Sequence, residues 1–297
     1  MIRFLGQFAL VVLVLFSFSA NAAREPGSLK IAMLHLELRY ADLEHNAALV
    51  KAGIELAAEH GADWVITPEL TFTGYRFDLA IGTEWIGTGP DQFVQSVQAS
   101  ADEHNLVVFL SHIEGVSNGS DGPSKRFNTL FVIDQQGDII GRHQKINTIP
   151  ISEGWSTAGD NATLIEVNGL NVGLLICADA WPPDHANWLK EQGASMIVSS
   201  ASWAPGHYGP GDTWEKRSLE TGLPLIVNNR TGVEREFDLR EATSVVAYQG
   251  KRVLSHASDN SQLVLIDWDT TTNQLLGLTK HVVKLNQDNT NSAASLD

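Results

Sequence analysis

The chain alternates short apolar runs with amphipathic stretches. Residues 29–34 (Leu-Lys-Ile-Ala-Met-Leu) read as a first strand. Asp42 caps a predicted helix with apolar positions Leu43, Ala47, Val50, Ile54 and Ala57, a spacing of four and three that lines one face; Gly61 closes it. A second strand spans residues 64–67 and is stopped by Pro68, which delivers Glu69 at its C-terminal end. Residues 90–104 return to helical spacing, with Phe93, Val97 and Ala101 on one side, and 106–110 is again an apolar strand.

The pattern then changes. Residues 118–124 are rich in Gly, Ser, Asp and Pro and mark an exposed loop. Strands at 129–133 and 139–142 flank a polar turn, and Lys145 follows directly. A second hairpin joins 163–167 to 170–176 across Asn168-Gly169. Its last strand runs into Cys177, where a sharp polar turn and a helix start follow. Helices at 184–192 and 213–221 and strands at 196–199, 225–228, 243–247, 252–255 and 263–266 complete the pattern. From Asn286 the chain is a polar tail. Helices alternate with strands, but hairpins intervene, so the reading is one α/β domain over residues 23–297 with mixed sheets.

The first 22 residues stand apart. Arg3 precedes an apolar stretch, and Ala20-Asn21-Ala22 forms a small-x-small cleavage site, as in a secretory signal peptide. The expectation is an exported protein, periplasmic or secreted; an uncleaved N-terminal anchor is the competing reading. A formal charge of −15 with no basic tract disfavours nucleic acid and anionic membranes as partners. The single cysteine excludes a disulfide framework and any cysteine-rich metal site. A lone thiol is a liability in an oxidising compartment, so its presence points to use.

Three chemically capable side chains stand at strand ends or just past hairpins: Glu69, Lys145 and Cys177. Together they supply a nucleophile, a carboxylate able to act as its base, and a fixed cation. The blocks around them resemble the nitrilase superfamily of carbon–nitrogen hydrolases. Val65-Ile66-Thr67-Pro68-Glu69, followed by Thr73-Gly74-Tyr75, is similar to the segment holding that family's catalytic glutamate. Phe127-Asn128-Thr129 through Gly141-Arg142-His143-Gln144-Lys145 resembles the block ending in its lysine. Glu153-Gly154-Trp155 and Gly159 resemble the stretch with its second glutamate, with Trp155 near, but not at, the usual aromatic position. Gly173 to Asp179 is similar to the nucleophile strand. Gly193-Ala194-Ser195 with Ser202-Trp203, and Asn229-Arg230-Thr231-Gly232, follow in the family's order. The resemblance implies a four-layer α-β-β-α sandwich with two mixed sheets, a Glu-Lys-Cys site, no metal or organic cofactor, and a homodimer or larger homo-oligomer.

The chemistry is coherent on its own terms. A free thiol is mostly protonated at neutral pH. Lys145 is expected to favour the thiolate by its charge, and Glu69 to take the proton. The oxyanion formed on attack at an amide carbonyl would be held by Lys145 and the Ala178 N–H. Glu153 would orient Lys145 or the attacking water. Asn128 and Arg230 read as structural hydrogen-bonding residues.

Substrate is read from departures. Ala178-Asp179 resembles the amidase pattern and not the Trp-Glu of true nitrilases, and Ala180-Trp181-Pro182-Pro183 lacks the cation that would hold an acidic substrate. With Tyr75, Trp155, Trp181 and Trp203 lining the pocket, the expectation is a hydrolase of a non-peptide C–N bond in a neutral small-molecule amide. A nitrile hydrolase, an acyltransferase on the same site and a non-catalytic binding protein on this fold are the alternatives.

Overall fold

The structure, a computed structural model, describes residues 27–117 and 125–285. The expected leader, the loop at 118–124 and the tail from Asn286 lie outside the described residues.

The first half of the chain lays down β1 (Ser28–His35), α1 (Leu43–Glu59), β2 (Trp64–Ile66), a single-turn α2 (Asp78–Ile81), α3 (Gln92–His104), β3 (Val107–Val116), β4 (Lys125–Ile133) and β5 (Ile139–Gln144). After the short α4 (Pro150–Glu153) come β6 (Thr163–Val167), β7 (Leu170–Ile176), α5 (Pro183–Glu191), β8 (Met196–Ser200), α6 (Thr213–Thr221) and β9 (Leu225–Asn228). A small hairpin of β10 (Val233–Glu234) and β11 (Phe237–Asp238) precedes β12 (Ser244–Tyr248) and β13 (Lys251–His256). Finally β14 (Gln262–Asp269) and β15 (Gln274–Val282) return to the first sheet.

Two mixed sheets result, ordered β15-β14-β1-β2-β3-β4-β5 and β13-β12-β9-β8-β7-β6. Each has a parallel centre (β1, β2, β3 and β7, β8, β9) and antiparallel flanks. The parallel strands are buried on both faces, so they read as continuous apolar runs. Along β1, Ile31 and Met33 join the core facing the second sheet, while Ala32 and Leu34 turn to the core beneath α1 and α3. Trp64 and Ile66 against Val65, and Val107 and Phe109 against Val108 and Leu110, repeat the division. On the far side α5 and α6 pack on each other, and α6 covers β9 and β12. The expected four-layer sandwich is the observed architecture.

The predicted cap holds α1, and a cap that the sequence reading did not mark holds α3. Asp42 accepts from the His45 N–H, and Asp91 from those of Phe93 and Val94, so α3 starts two residues later than its sequence signal. In α1 the predicted stripe buries Val50, Ile54 and Ala57, and truncating Ile54 to Ala removes about 2–5 kcal/mol of packing. β15 was absent from the sequence reading for a physical reason. It is an outer strand with Leu276, Leu278 and Val282 exposed, so no alternating face marks it.

Candidate active site

The site lies where the C-terminal ends of the two parallel centres meet. Pro68 ends β2, and the chain turns so that Glu69 points between the sheets. Its N–H donates to Ala201 O at 3.2 Å, and Ser202 Oγ donates back to its carbonyl at 3.0 Å. The Glu69 loop is thereby stitched to the end of β8. Leu70, the next residue, takes a left-handed φ of 51°. Cys177, one residue past β7, does the same at 48° and opens a 3₁₀ turn through Ala180. Each such non-glycine residue costs about 1–3 kcal/mol and persists only where its surroundings fix it.

Glu69, Lys145, Glu153 and Cys177 converge, all buried. Lys145 Nζ donates to Glu69 Oε1 and to Glu153 Oε2, both at 2.7 Å. Cys177 lies close enough to the Glu69 carboxylate for each to shift the other's titration. Ser202 N–H binds Glu69 Oε2 at 2.9 Å, and Ile149 N–H binds Glu153 Oε2 at 3.0 Å. Two carboxylates and one ammonium leave one negative charge in a buried site, where only close partners make ionised groups tolerable.

Asn128 is the first residue that sequence reasoning misplaced. Its Nδ2 donates to Glu69 Oε1 and Glu153 Oε1, each at 2.9 Å, so its hydrogen bonds bridge the two acids within the site. Its place on β4, paired with β5 beside the lysine, holds it there: the Lys145 N–H donates to Asn128 O at 2.8 Å. Arg230 does match its structural reading, since its guanidinium is buried against Glu234 and Leu38 O. Asp179 and His143 were also missed as partners; their hydrogen bond of 2.9 Å lies behind the nucleophile turn.

The aromatic candidates separate. Tyr75 is buried, donates its hydroxyl to Glu153 Oε2 at 3.1 Å, and lies 5.6 Å below Lys145 Nζ. Its backbone N–H binds Glu234, and a Cβ on Gly74 would come within 2.7 Å of that same carboxylate, which accounts for the Gly-Tyr pair. Trp155 packs edge-on to Phe77 at 4.9 Å. Trp203 follows Ser202 and stacks at a tilt on Trp181, with 5.6 Å between rings, while Trp181 is 53 % exposed. Arg217 reaches the turn after Cys177 from α6, but it is engaged by Trp181 O and Glu220. Ala178 is buried beside the nucleophile position.

Lys145 favours the thiolate as expected, but burial prevails. Burial pushes the Cys177 thiol well above its usual range, and the Glu69 charge pushes it further; Lys145 opposes both without prevailing. The lysine does not by itself produce a thiolate. Burial likewise raises Glu69, against the pull of Lys145. Burial opposes the Lys145 charge, but Glu69 and Glu153 more than offset it and hold the ammonium firmly protonated. The resting arrangement is a protonated thiol beside the Glu69 carboxylate.

A profile of the carbon–nitrogen hydrolase family matches residues 30–274. The chain belongs to that family, and so to the nitrilase superfamily of enzymes that hydrolyse C–N bonds. Among its relatives are the 2-oxoglutaramate amidase of Bacillus subtilis, 26 % identical over 80 % of this chain and 90 % of its own, and the citrullinase of Francisella tularensis, 25 % identical over 78 % of this chain and 83 % of its own. In fold it is similar to an amidase from Nesterenkonia sp., with a TM-score of 0.72, 22 % identity, and coverage of 84 % of this chain and 94 % of that one.

Proposed function

We propose that this hydrolase cleaves a neutral small-molecule amide through a thioester on Cys177. The observation that carries the reading is the buried convergence of Cys177, Glu69 and Lys145, with Lys145 Nζ held at 2.7 Å by both Glu69 and Glu153. The Cys177 sulfur attacks the amide carbonyl as its proton passes to Glu69. The C–S bond forms, and the carbonyl π electrons move to oxygen. Lys145 and the Ala178 N–H stabilise that oxyanion, each donor contributing about 3–4 kcal/mol. Glu69 then returns its proton to the leaving nitrogen, the C–N bond breaks, and ammonia or an amine departs. Water attacks the thioester with Glu69 again as base, releasing the acid and the thiol. Glu153, tied to Lys145, Asn128 and Tyr75, holds the ammonium in place between these steps.

Two features support a neutral substrate. The catalytic cluster carries a net negative charge, which repels a substrate carboxylate. Arg217, which reaches the turn after Cys177 from α6, is already engaged by Trp181 O and Glu220. The Trp181–Trp203 pair supports an apolar or aromatic acyl group. A related amidase from Nesterenkonia sp. is described with the acetamide moiety of fluoroacetamide covalently added at its active-site cysteine, which agrees with the nucleophile assigned here. The export expected from the first 22 residues belongs to the same proposal.

The test is intact mass after brief exposure to a panel of neutral amides and short nitriles, with ammonia release measured in parallel and Cys177→Ala as control. An acyl adduct and ammonia from amides in the wild type alone support the proposal. Turnover by Cys177→Ala, or turnover of nitriles without amides, overturns it.

A further inference from the structure

The Asp179 carboxylate, fully buried two residues past Cys177, is a junction between two halves of the site. Its Oδ2 accepts from the Ile176 N–H at 3.0 Å, closing the nucleophile turn on itself. Its Oδ1 accepts from the N–H groups of Ile146 and Asn147 at 3.0 and 2.7 Å, the two residues after Lys145. Asn147 Nδ2 adds a bond to Ala178 O at 3.2 Å. The turn bearing the thiol and the turn bearing the ammonium are therefore held by one carboxylate. One side chain completes it: His143 Nε2, buried on β5, lies 2.9 Å from Asp179 Oδ2.

We infer that His143 is a positioning residue for the proposed reaction, acting through Asp179 to fix the thiol-bearing turn against the lysine-bearing turn.

Asp179 accepts only, so Nε2 must carry the hydrogen, and Nδ1 then faces Thr163 Oγ1 of β6 at 3.3 Å. The imidazole is thus clamped from both sides, and it clamps Asp179 in turn. Burial disfavours the Asp179 charge, but the His143 hydrogen bond and the backbone donors outweigh it and keep the carboxylate below its usual range. Without the imidazole donor, one oxygen of a buried anion rests on a single backbone N–H. The turn that forces Cys177 into a left-handed conformation loses its anchor, and a negative charge near the sulfur is less well compensated. The charged groups acting on Cys177 from the other elements are Glu69, Glu153 and Lys145, and none of them touches His143.

The inference rests on the Cys177 reading, so its test reads the thiol directly. Wild type, His143→Gln (a donor of similar reach) and His143→Leu (no donor) are checked for folding by thermal melts. Each is then alkylated with iodoacetamide across pH, with Cys177 modification followed by intact mass, and kcat and KM are measured on any amide turned over. The expected result for His143→Leu is an alkylation profile displaced to higher pH and kcat lower by about 10- to 100-fold with KM nearly unchanged, with His143→Gln restoring most of both. If the leucine variant does not fold, His143→Asn, whose donor is one methylene shorter, takes its place with the same expected pattern. A folded donor-less variant with the wild-type pH profile and kcat overturns the inference. If wild type turns over no amide or nitrile while the donor-less variant still displaces the alkylation profile, the inference is supported and the proposed function fails instead.

Discussion

Lys145 and His35 are both fully buried beside strand ends of the first sheet, yet one keeps its charge and the other gives it up. Lys145 sits between two carboxylates at 2.7 Å, and the acids are themselves bonded by Asn128, Ser202 and Ile149. His35 has Ser244 Oγ at 2.9 Å on one nitrogen and, among the described residues, no partner on the other. Its neighbour His256, 5.0 Å away ring to ring, has no partner on either nitrogen among the described residues. Burial, then His256, holds His35 down to about 3, and burial, then Lys280, holds His256 down to about 4. The difference lies in the surroundings. A buried group stays ionised where opposite charge and donors have been assembled around it, and discharges where hydroxyls, amides and cations face it. Only the first arrangement places a proton acceptor next to a thiol.

The sharpest way to break the comparison is Lys145→Met, which removes the cation and leaves both acids buried. The expected loss is at least about 10²-fold in turnover from the missing oxyanion donor, with about 3–5 kcal/mol of destabilisation from the uncompensated charges. Kinetics and urea midpoints measure the two separately, and a stable, active variant would remove Lys145 from the mechanism. Glu69→Gln separates charge from chemistry. Turnover should fall by about 10²- to 10⁴-fold for want of the base. Cys177 should nevertheless ionise at lower pH, because the acid that repels its thiolate is gone; iodoacetamide alkylation against pH reads this directly. An upward shift would mean that Lys145 and not Glu69 governs the thiol. Asn128→Ala is milder. It frees both acids from a shared donor and should lower kcat by about tenfold, in keeping with loss of hydrogen bonds to charged groups; an unchanged kcat would return Asn128 to the structural role its sequence position suggested.

The fold was legible because both sheets are parallel at their centres and buried on both faces, which writes apolar runs such as 170–176 and 196–200 into the chain. Strand ends were then legible too, and with them Glu69, Lys145 and Cys177, since side chains that can do chemistry at such ends are few. Glu153 needed the resemblance, because a one-turn helix has no periodicity to read. Asn128, His143 and Asp179 escaped for another reason. An amide, an imidazole or a carboxylate inside or beside a strand is silent about its partner until the register brings one opposite, and their partners lie 25 to 59 residues away in sequence. The cue was present in composition alone: polar residues in otherwise apolar strands need partners, and each could have been marked as owing one.

The smallest expected effect concerns the neutral pair. In the unfolded chain His35 and His256 take up protons near the usual 6.5, whereas the folded pair stays neutral down to about 3 and about 4. Between those limits the unfolded state binds more protons, so stability rises with pH there. Their contribution is complete above 6.5 and is lost progressively as pH falls toward 4. His35→Gln keeps a partner for Ser244 and removes one of the two titrations. The acid-unfolding midpoint followed by tryptophan fluorescence should therefore move to lower pH by about half a unit, with stability at pH 8 little changed. A midpoint that stays in place would mean that carboxylates elsewhere set acid tolerance. A midpoint that rises would mean that the imidazole holds the protonated fold together, and the contrast with Lys145 would fall.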